Sequence, residues 1–129
     1  MANANDPLEL PFKGGIGYYR LGTSIGSTHY LIDVRWNASA NLDKNGAPQG
    51  AWYLDFFEQD ETPIILGVKL VLGAYLGRRS NHPLFTNGVF VAIDMSNQGR
   101  EASFDDLGGR VIVQYIPVVE LIRRIQDHG

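Results

Sequence analysis

The densest apolar stretch of the chain, residues 50–73, most constrains the fold because it alternates as β-strands require. One face of a period-two strand would carry Trp52, Leu54 and Phe56, and the other would carry Tyr53, Asp55 and Phe57. Residues 59–63 are polar and end in proline, which predicts a turn, and residues 64–66 predict the returning strand of a hairpin. The stretch therefore predicts an antiparallel β core and contains no pattern of reactive groups.

Further strand patterns lie on both sides of this stretch. Residues 28–40 alternate, and Asp33 and Arg35 share the polar face, where we expect them to form an ion pair contributing at most about 1 kcal/mol. Residues 89–94 are an apolar run that ends at Asp94, which is typical of a central strand, and residues 110–116 predict the last strand. A short amphipathic helix is predicted for residues 117–127, with apolar residues at Val118, Leu121, Ile122 and Ile125.

These patterns predict one mainly β domain. A chain of 129 residues with 44% apolar residues, 15 glycines and six prolines fits a small antiparallel β-barrel or sandwich of about six or seven strands with a short C-terminal helix. Residues 1–27 are predicted as an extended N-terminal arm and residues 28–129 as the single β domain. In the arm, Leu8, Leu10 and Phe12 alternate beside two prolines, so this segment either pairs at the edge of its own domain or adds a strand to a neighbouring subunit.

Composition argues against several classes of protein. The chain has no cysteine, so disulfides and thiolate metal sites are excluded. Its first residues lack the pattern of a signal peptide, and no apolar run approaches the roughly 20 residues that span a bilayer. The net charge is −3 and at most two basic residues are adjacent, so we expect neither a membrane nor a nucleic-acid partner.

Reactive side chains are too dispersed to indicate catalysis. The three histidines are far apart in sequence, and Asp105–Asp106 fits a hydrogen-bonded turn better than a cation site. We therefore expect no catalytic residue, no metal and no cofactor, and we expect the chain not to be an enzyme. The residues that we predict to contact other proteins are apolar or aromatic and are Leu8, Leu10, Phe12, Tyr53, Phe57, Leu121 and Ile125.

The order of motifs resembles the phage baseplate plug family, whose members are small proteins of contractile-tailed phages. The resemblance covers roughly residues 28–121, and its motifs are WYLD, TPIILGVKLVLGAYL, GVFVAID, DDLG and RVIVQYIP. It implies a structural protein of the virion, made in the host cytoplasm and packed in the baseplate near the hub at the end of the tail tube. It also implies a homo-oligomeric ring and contacts with hub, tube or tube-initiator, and wedge proteins.

Two other functions remain open from the residues alone. A carbohydrate- or ligand-binding β module would use Trp36 or Trp52 as a stacking surface, and this requires those rings to be exposed. A hydrolase would use two acids such as Asp55 and Glu58, and this requires the carboxylates to converge in a cleft.

Overall fold

The computed structural model describes residues 7–120 and 122. Along the described part of the chain, eight strands and the short helix α1 follow each other: β1 (Leu8–Glu9), β2 (Tyr18–Ile25), β3 (Thr28–Asn37), β4 (Ala51–Glu58), β5 (Pro63–Lys69), β6 (Tyr75–Leu76), α1 (Pro83–Thr86), β7 (Gly88–Asp94) and β8 (Val111–Pro117).

The strands form two four-stranded antiparallel sheets. The front sheet has the order β2-β3-β4-β5 and is a simple meander, whereas the back sheet has the order β1-β8-β7-β6. Neither sheet closes on itself, so the architecture is a sandwich and not a barrel. The mainly β prediction is confirmed, and the predicted central strand is β7, which pairs with β6 and β8.

The core fills the space between the sheets. Its largest fully buried side chains are Trp52, Phe56, Phe90, Leu10, Ile32, Leu54, Val34, Val111 and Val113. The residues of β4 that share a face in the predicted pattern thus point inward. Phe56 contacts Phe90 with ring centroids 5.1 Å apart, which joins the two sheets through aromatic packing.

The described part of the N-terminal segment packs on its own chain. Leu8 pairs with Tyr115 of β8, while Leu10 and Phe12 are only 1% and 5% exposed and belong to the core. Residues 22–27 have the composition of a turn, but β2 continues to Ile25 and the chain reverses only at Gly26 and Ser27. Gly26 has φ = 65°, the positive value that a type II′ hairpin turn requires at its first central position.

Two further segments differ from the sequence pattern or extend beyond it. The segment around Leu84 contains α1, a helix that the sequence pattern did not predict. It begins after His82, whose Nδ1 accepts a hydrogen bond from the Leu84 amide at 3.0 Å. Residues 118–120 and 122 are helical, in agreement with the predicted C-terminal helix, and the other positions of the 117–127 prediction after Pro117 lie outside the described residues. Within residues 7–120 and 122, no helix combines the length and apolar character needed to cross a bilayer.

Candidate interaction surfaces

The outer face of the front sheet carries two arginine–aspartate pairs. Arg20 of β2 donates from Nε to Asp33 Oδ1 at 2.6 Å and from Nη2 to Asp33 Oδ2 at 3.2 Å. Arg35 of β3 contacts Asp55 of β4 in the same two-pronged way, at 2.9 and 3.1 Å. Each arginine thus bonds an aspartate on the neighbouring strand, in the geometry that a planar guanidinium favours with a carboxylate. We call this surface, together with Tyr18, Tyr53 and Phe57, the arginine face.

Strand register determines these pairs and corrects a sequence prediction. Asp33 and Arg35 were expected to pair within β3, but Arg20 lies opposite Asp33, and Asp55 lies diagonal to Arg35. The prediction was wrong because Asp33 is taken by Arg20, which lies directly opposite it and closer than a same-strand neighbour, while Arg35 reaches across to Asp55. The observed partners of Arg20 and Arg35 could have been predicted only if the register between β2, β3 and β4 were known.

Aromatic rings lie beneath both arginines. The Arg20 guanidinium lies 5.0 Å from the centre of the Phe57 ring, and that of Arg35 lies 5.8 Å from the centre of the Tyr53 ring. Both arginine side chains remain more than a third exposed, at 38% and 39%. The face therefore offers preorganised arginine and aromatic side chains, the residue types enriched at protein interfaces.

The pairing changes proton affinities on this face. Burial alone would raise the pKa of Asp55, but hydrogen bonds from Arg35 and from the Gly67 amide outweigh burial and hold its pKa below the ordinary value. The hydroxyl of Tyr18 donates to Asp33 at 3.1 Å, and this hydrogen bond raises the pKa of Tyr18. Both groups therefore keep the charge state that supports the network at neutral pH.

A third arginine, Arg110, lies in the turn just before β8 and bonds its own chain. Arg110 is only 12% exposed and lies 3.0 Å from Asp94 and 2.7 Å from Asp106. It also donates to the carbonyls of Arg100 and Glu101 at 2.8 and 2.7 Å. We call Arg110, Asp94 and Asp106 the Arg110 cluster, and it fixes the loop over residues 95–110 by contacts at several points.

The two aspartates of the cluster also hold the backbone of this loop. Asp94 accepts from the amides of Ser96 and Gly99 at 2.9 and 2.8 Å, and Asp106 accepts from the amide and hydroxyl of Ser103 at 2.9 and 2.7 Å. Hydrogen bonds from Ser96 to Asp94 and from Arg110 to Asp106 are the leading causes that lower the pKa of each carboxyl well below its usual range. Asp106 therefore has the turn role that was favoured over a cation site.

The tryptophans form a packed cluster rather than a stacking platform. Trp52 is 1% exposed, stacks on Phe104 with centroids 6.0 Å apart and donates from Nε1 to the carbonyl of Ser103 at 3.1 Å. Trp36 contacts Trp52 and Phe104 with centroids 5.2 and 5.6 Å apart. Trp52 lacks the exposed ring that carbohydrate binding needs, and Trp36, although only partly buried, packs its ring against the same cluster. The tryptophans therefore supply no support for that alternative.

The acids considered for hydrolysis are committed to other partners. Asp55 is bound by Arg35. Glu58 Oε1 accepts a hydrogen bond from His82 Nε2 at 3.0 Å. Among residues 7–120 and 122, no group of three or more histidines and acids could hold a metal ion.

The predicted contact residues separate into three groups. Tyr53 and Phe57 are half-buried on the arginine face, and Leu8 is 37% exposed at the edge of the back sheet. Leu10 and Phe12 lie in the core, where they stabilise their own chain. Leu121 and Ile125 lie outside the described residues. The pattern of apolar residues did not predict that Arg20 and Arg35 belong to this face. The signal in the sequence that could have indicated them is the presence of arginines on strands that also carry aromatic residues.

The described residues define a small β-sandwich of two antiparallel sheets. A family model described as cyanophage baseplate Pam3 plug gp18 matches residues 8–118. The chain belongs to this family, which confirms the resemblance to phage baseplate plugs and places the protein among the structural components of the phage tail baseplate. No curated protein matches the chain at a significant level.

Proposed function

We propose that this protein plugs the central assembly of a contractile phage tail baseplate, where the hub meets the end of the tail tube. The observation that carries the proposal is the family match over residues 8–118. The protein would act through contacts with hub, tube or tube-initiator, and wedge proteins, without catalysis, nucleic acid or membrane. It would be made in the host cytoplasm and join the virion as a homo-oligomeric ring.

The arginine face is the contact surface that we propose for these neighbours. Tyr53 and Phe57 hold their rings under Arg35 and Arg20, so a partner would meet side chains that are already ordered. Preorganised aromatic and arginine side chains lose little conformational entropy on binding. Leu8 and, by the apolar helix pattern, Leu121 and Ile125 would extend the contacts beyond this face.

Reconstitution with purified hub and tube proteins tests the proposal. Light scattering of the mixture should give the mass of a discrete complex that contains the wild-type chain. The Tyr53→Ala/Phe57→Ala variant should enter this complex at least about tenfold more weakly, because central aromatic contacts carry much of the binding energy of an interface. Tyr75→Ala is the matched control, since Tyr75 is 45% exposed on the other sheet. A wild-type chain that joins none of the tail proteins would contradict the proposed function.

A further inference from the structure

We propose that copies of this chain bind each other through opposite charges, with the acidic turn of one copy seated in a cationic groove of another. The acidic turn is residues 58–61, between β4 and β5, and the cationic groove is the cavity lined by Lys69, Arg78 and Arg79. The contact is separate from the arginine face, and it rests on the proposed function only for the setting in which copies meet.

The cationic groove lies between β5 and the segment that contains β6, and its volume is about 320 Å³. Lys69, Arg78 and Arg79 bring three positive charges to it, and none of the described residues that line it is acidic. Tyr75 also lines the groove but is uncharged, so Tyr75→Ala keeps the charges that this contact uses. The groove therefore favours an occupant that carries negative charge.

The cations of the groove keep most of their hydrogen-bond donors free. Arg79 Nη2 donates to the carbonyl of Leu66 at 2.9 Å, which holds the Arg79 side chain beside β5, and Lys69 Nζ donates to Asn41 Oδ1. In the part of the chain that the structure describes, the three cations are exposed and none forms an ion pair. Because an arginine has five donors and a lysine three, the groove can bind several carboxylate oxygens.

The acidic turn is an ordered hairpin tip. The amide of Glu58 donates to the carbonyl of Thr62 at 2.8 Å, and the amide of Glu61 donates to the carbonyl of Glu58 at 2.9 Å. Asp60 Oδ1 accepts from the amide of Thr62 at 3.0 Å, which fixes the side chain at the tip. A turn that is already fixed loses little conformational entropy when it binds.

Negative charge remains unpaired at this tip. Glu61 pairs with Arg20, but Arg20 is also bound to Asp33, so one cation faces two carboxylates. Asp60 is exposed and forms no ion pair within residues 7–120 and 122. The acidic turn thus carries the charge for which the cationic groove has no partner in its own chain.

The turn and the far end of the groove lie at opposite ends of β5. The turn precedes Pro63, where β5 begins, whereas Lys69 ends the strand and pairs with Tyr53 of β4. Because the seven extended residues of β5 span roughly 20 Å, the turn of one copy cannot reach the Lys69 of the same copy. These charges can therefore meet only between molecules, and a second copy supplies the acidic turn.

An apolar side chain beside the groove adds to the contact. Leu66 lies on β5 between the turn and Lys69 and is 50% exposed. A second copy seated in the groove would cover Leu66, so hydrophobic stabilisation would accompany the ionic contacts.

Light scattering of the purified chain tests the inference. The mean mass of the wild type should rise with protein concentration as copies associate. Association should weaken at least about tenfold when the salt concentration is raised from about 50 mM to about 500 mM, because salt screens charges at the surface.

Two charge reversals locate the contact. Arg78→Glu in the groove and Asp60→Lys in the turn should each weaken self-association at least about tenfold. The matched controls lie in another exposed loop and should associate as the wild type does. Lys44→Glu reverses an exposed cation without an ion pair in the described chain, and Asp43→Lys reverses an exposed acid whose Oδ1, like that of Asp60, accepts from an amide of its own turn.

Mixing the two reversed variants gives a readout that a general loss of folding would not move. In the mixture, the unchanged turn of Arg78→Glu meets the unchanged groove of Asp60→Lys, so association should recover to within about twofold of the wild type. Thermal unfolding of each variant alone checks that it folds.

The outcomes separate this inference from the proposed function. A wild-type chain that stays monomeric up to about 1 mM, or a mixture that does not recover, would overturn the inference. If the chain stays monomeric and Arg78→Glu alone fails to enter the baseplate, the inference is overturned in favour of an acidic segment of another baseplate protein. A chain that associates with itself but joins none of the tail proteins would contradict the proposed function and support the contact between copies.

Discussion

The Arg110 cluster and the arginine face use the same arginine–aspartate chemistry in different surroundings. Arg110 is 12% exposed and bonds a loop of its own chain, whereas Arg20 and Arg35 are 38% and 39% exposed on an open sheet face. Buried pairs are costly to break because a charge is left without a partner, while exposed pairs contribute little to stability. The comparison indicates that the first cluster maintains the fold and that the second is available for contacts with other proteins.

Replacement of Arg110 should have the largest effect. Arg110→Ala leaves Asp94 and Asp106 without their shared cation and should lower the free energy of unfolding by about 3 kcal/mol. Urea denaturation measures this loss, and limited proteolysis should show early cleavage within residues 95–109. If the unfolding free energy of Arg110→Ala stays within about 0.5 kcal/mol of wild type, the distinction between the Arg110 cluster and the arginine face is contradicted.

Gly50→Ala tests the packed end of the sandwich, where the same loop meets the tryptophans. Gly50 has φ = 81°, and an added Cβ would lie 2.0 Å from Trp36 Cζ2, so the ring would have to move. We expect a loss of about 2 kcal/mol in unfolding free energy. Thermal unfolding checks it, with Gly17→Ala as control, because a Cβ at Gly17 meets no atom within 4 Å and the backbone there has no positive φ.

Acid should weaken the Arg110 cluster. The carboxyls of Asp94 and Asp106 have pKa values lowered from the ordinary 3.8, so their stabilisation is complete above that value and is lost as the pH falls through it toward the folded-state pKa. Stability of the wild type should therefore fall below about pH 5. Because Arg110→Ala has already lost these pairs, its stability should fall less steeply over the same range; parallel curves for the two proteins would contradict the assignment.

Replacement of Arg35 should have the smallest effect on folding. Arg35→Ala removes a cation that is 39% exposed, and Asp55 keeps its hydrogen bond from the Gly67 amide, so the free energy of unfolding should change by no more than about 1 kcal/mol. The same variant should bind its baseplate neighbours more weakly, because it removes the cation over Tyr53. Urea denaturation and reconstitution of the same preparation measure the unfolding free energy and the binding to the neighbours. A large loss of stability together with normal assembly would contradict the proposal that the arginine face binds other proteins.

The sequence predicts the architecture better than it predicts the surfaces. Alternation of Trp52, Leu54 and Phe56 identifies the core side of β4 because burial imposes a period of two on a strand. The partners of Arg20 and Arg35 could not be predicted in the same way, since they depend on the register between strands.

The N-terminal segment illustrates a second limit. Leu10 and Phe12 have the alternating apolar pattern of an arm, and the same pattern equally fits a segment that completes its own core. Likewise, Gly22 and Ser24 are typical turn residues, yet pairing with β3 keeps both in β2. In each case, long-range contacts override a local preference that is weak by itself.

Hydroxyl-radical footprinting of the baseplate particle would test most directly the claim that the arginine face is a protein interface. The oxidation rates of Tyr53 and Phe57 would be compared between the free chain and the particle, with Trp52, which is 1% exposed in the core, as an internal reference. Our account predicts that oxidation of Tyr53 and Phe57 slows by at least about fivefold in the particle while Trp52 stays unreactive in both. Equal oxidation of Tyr53 and Phe57 in the free chain and in the particle would contradict it.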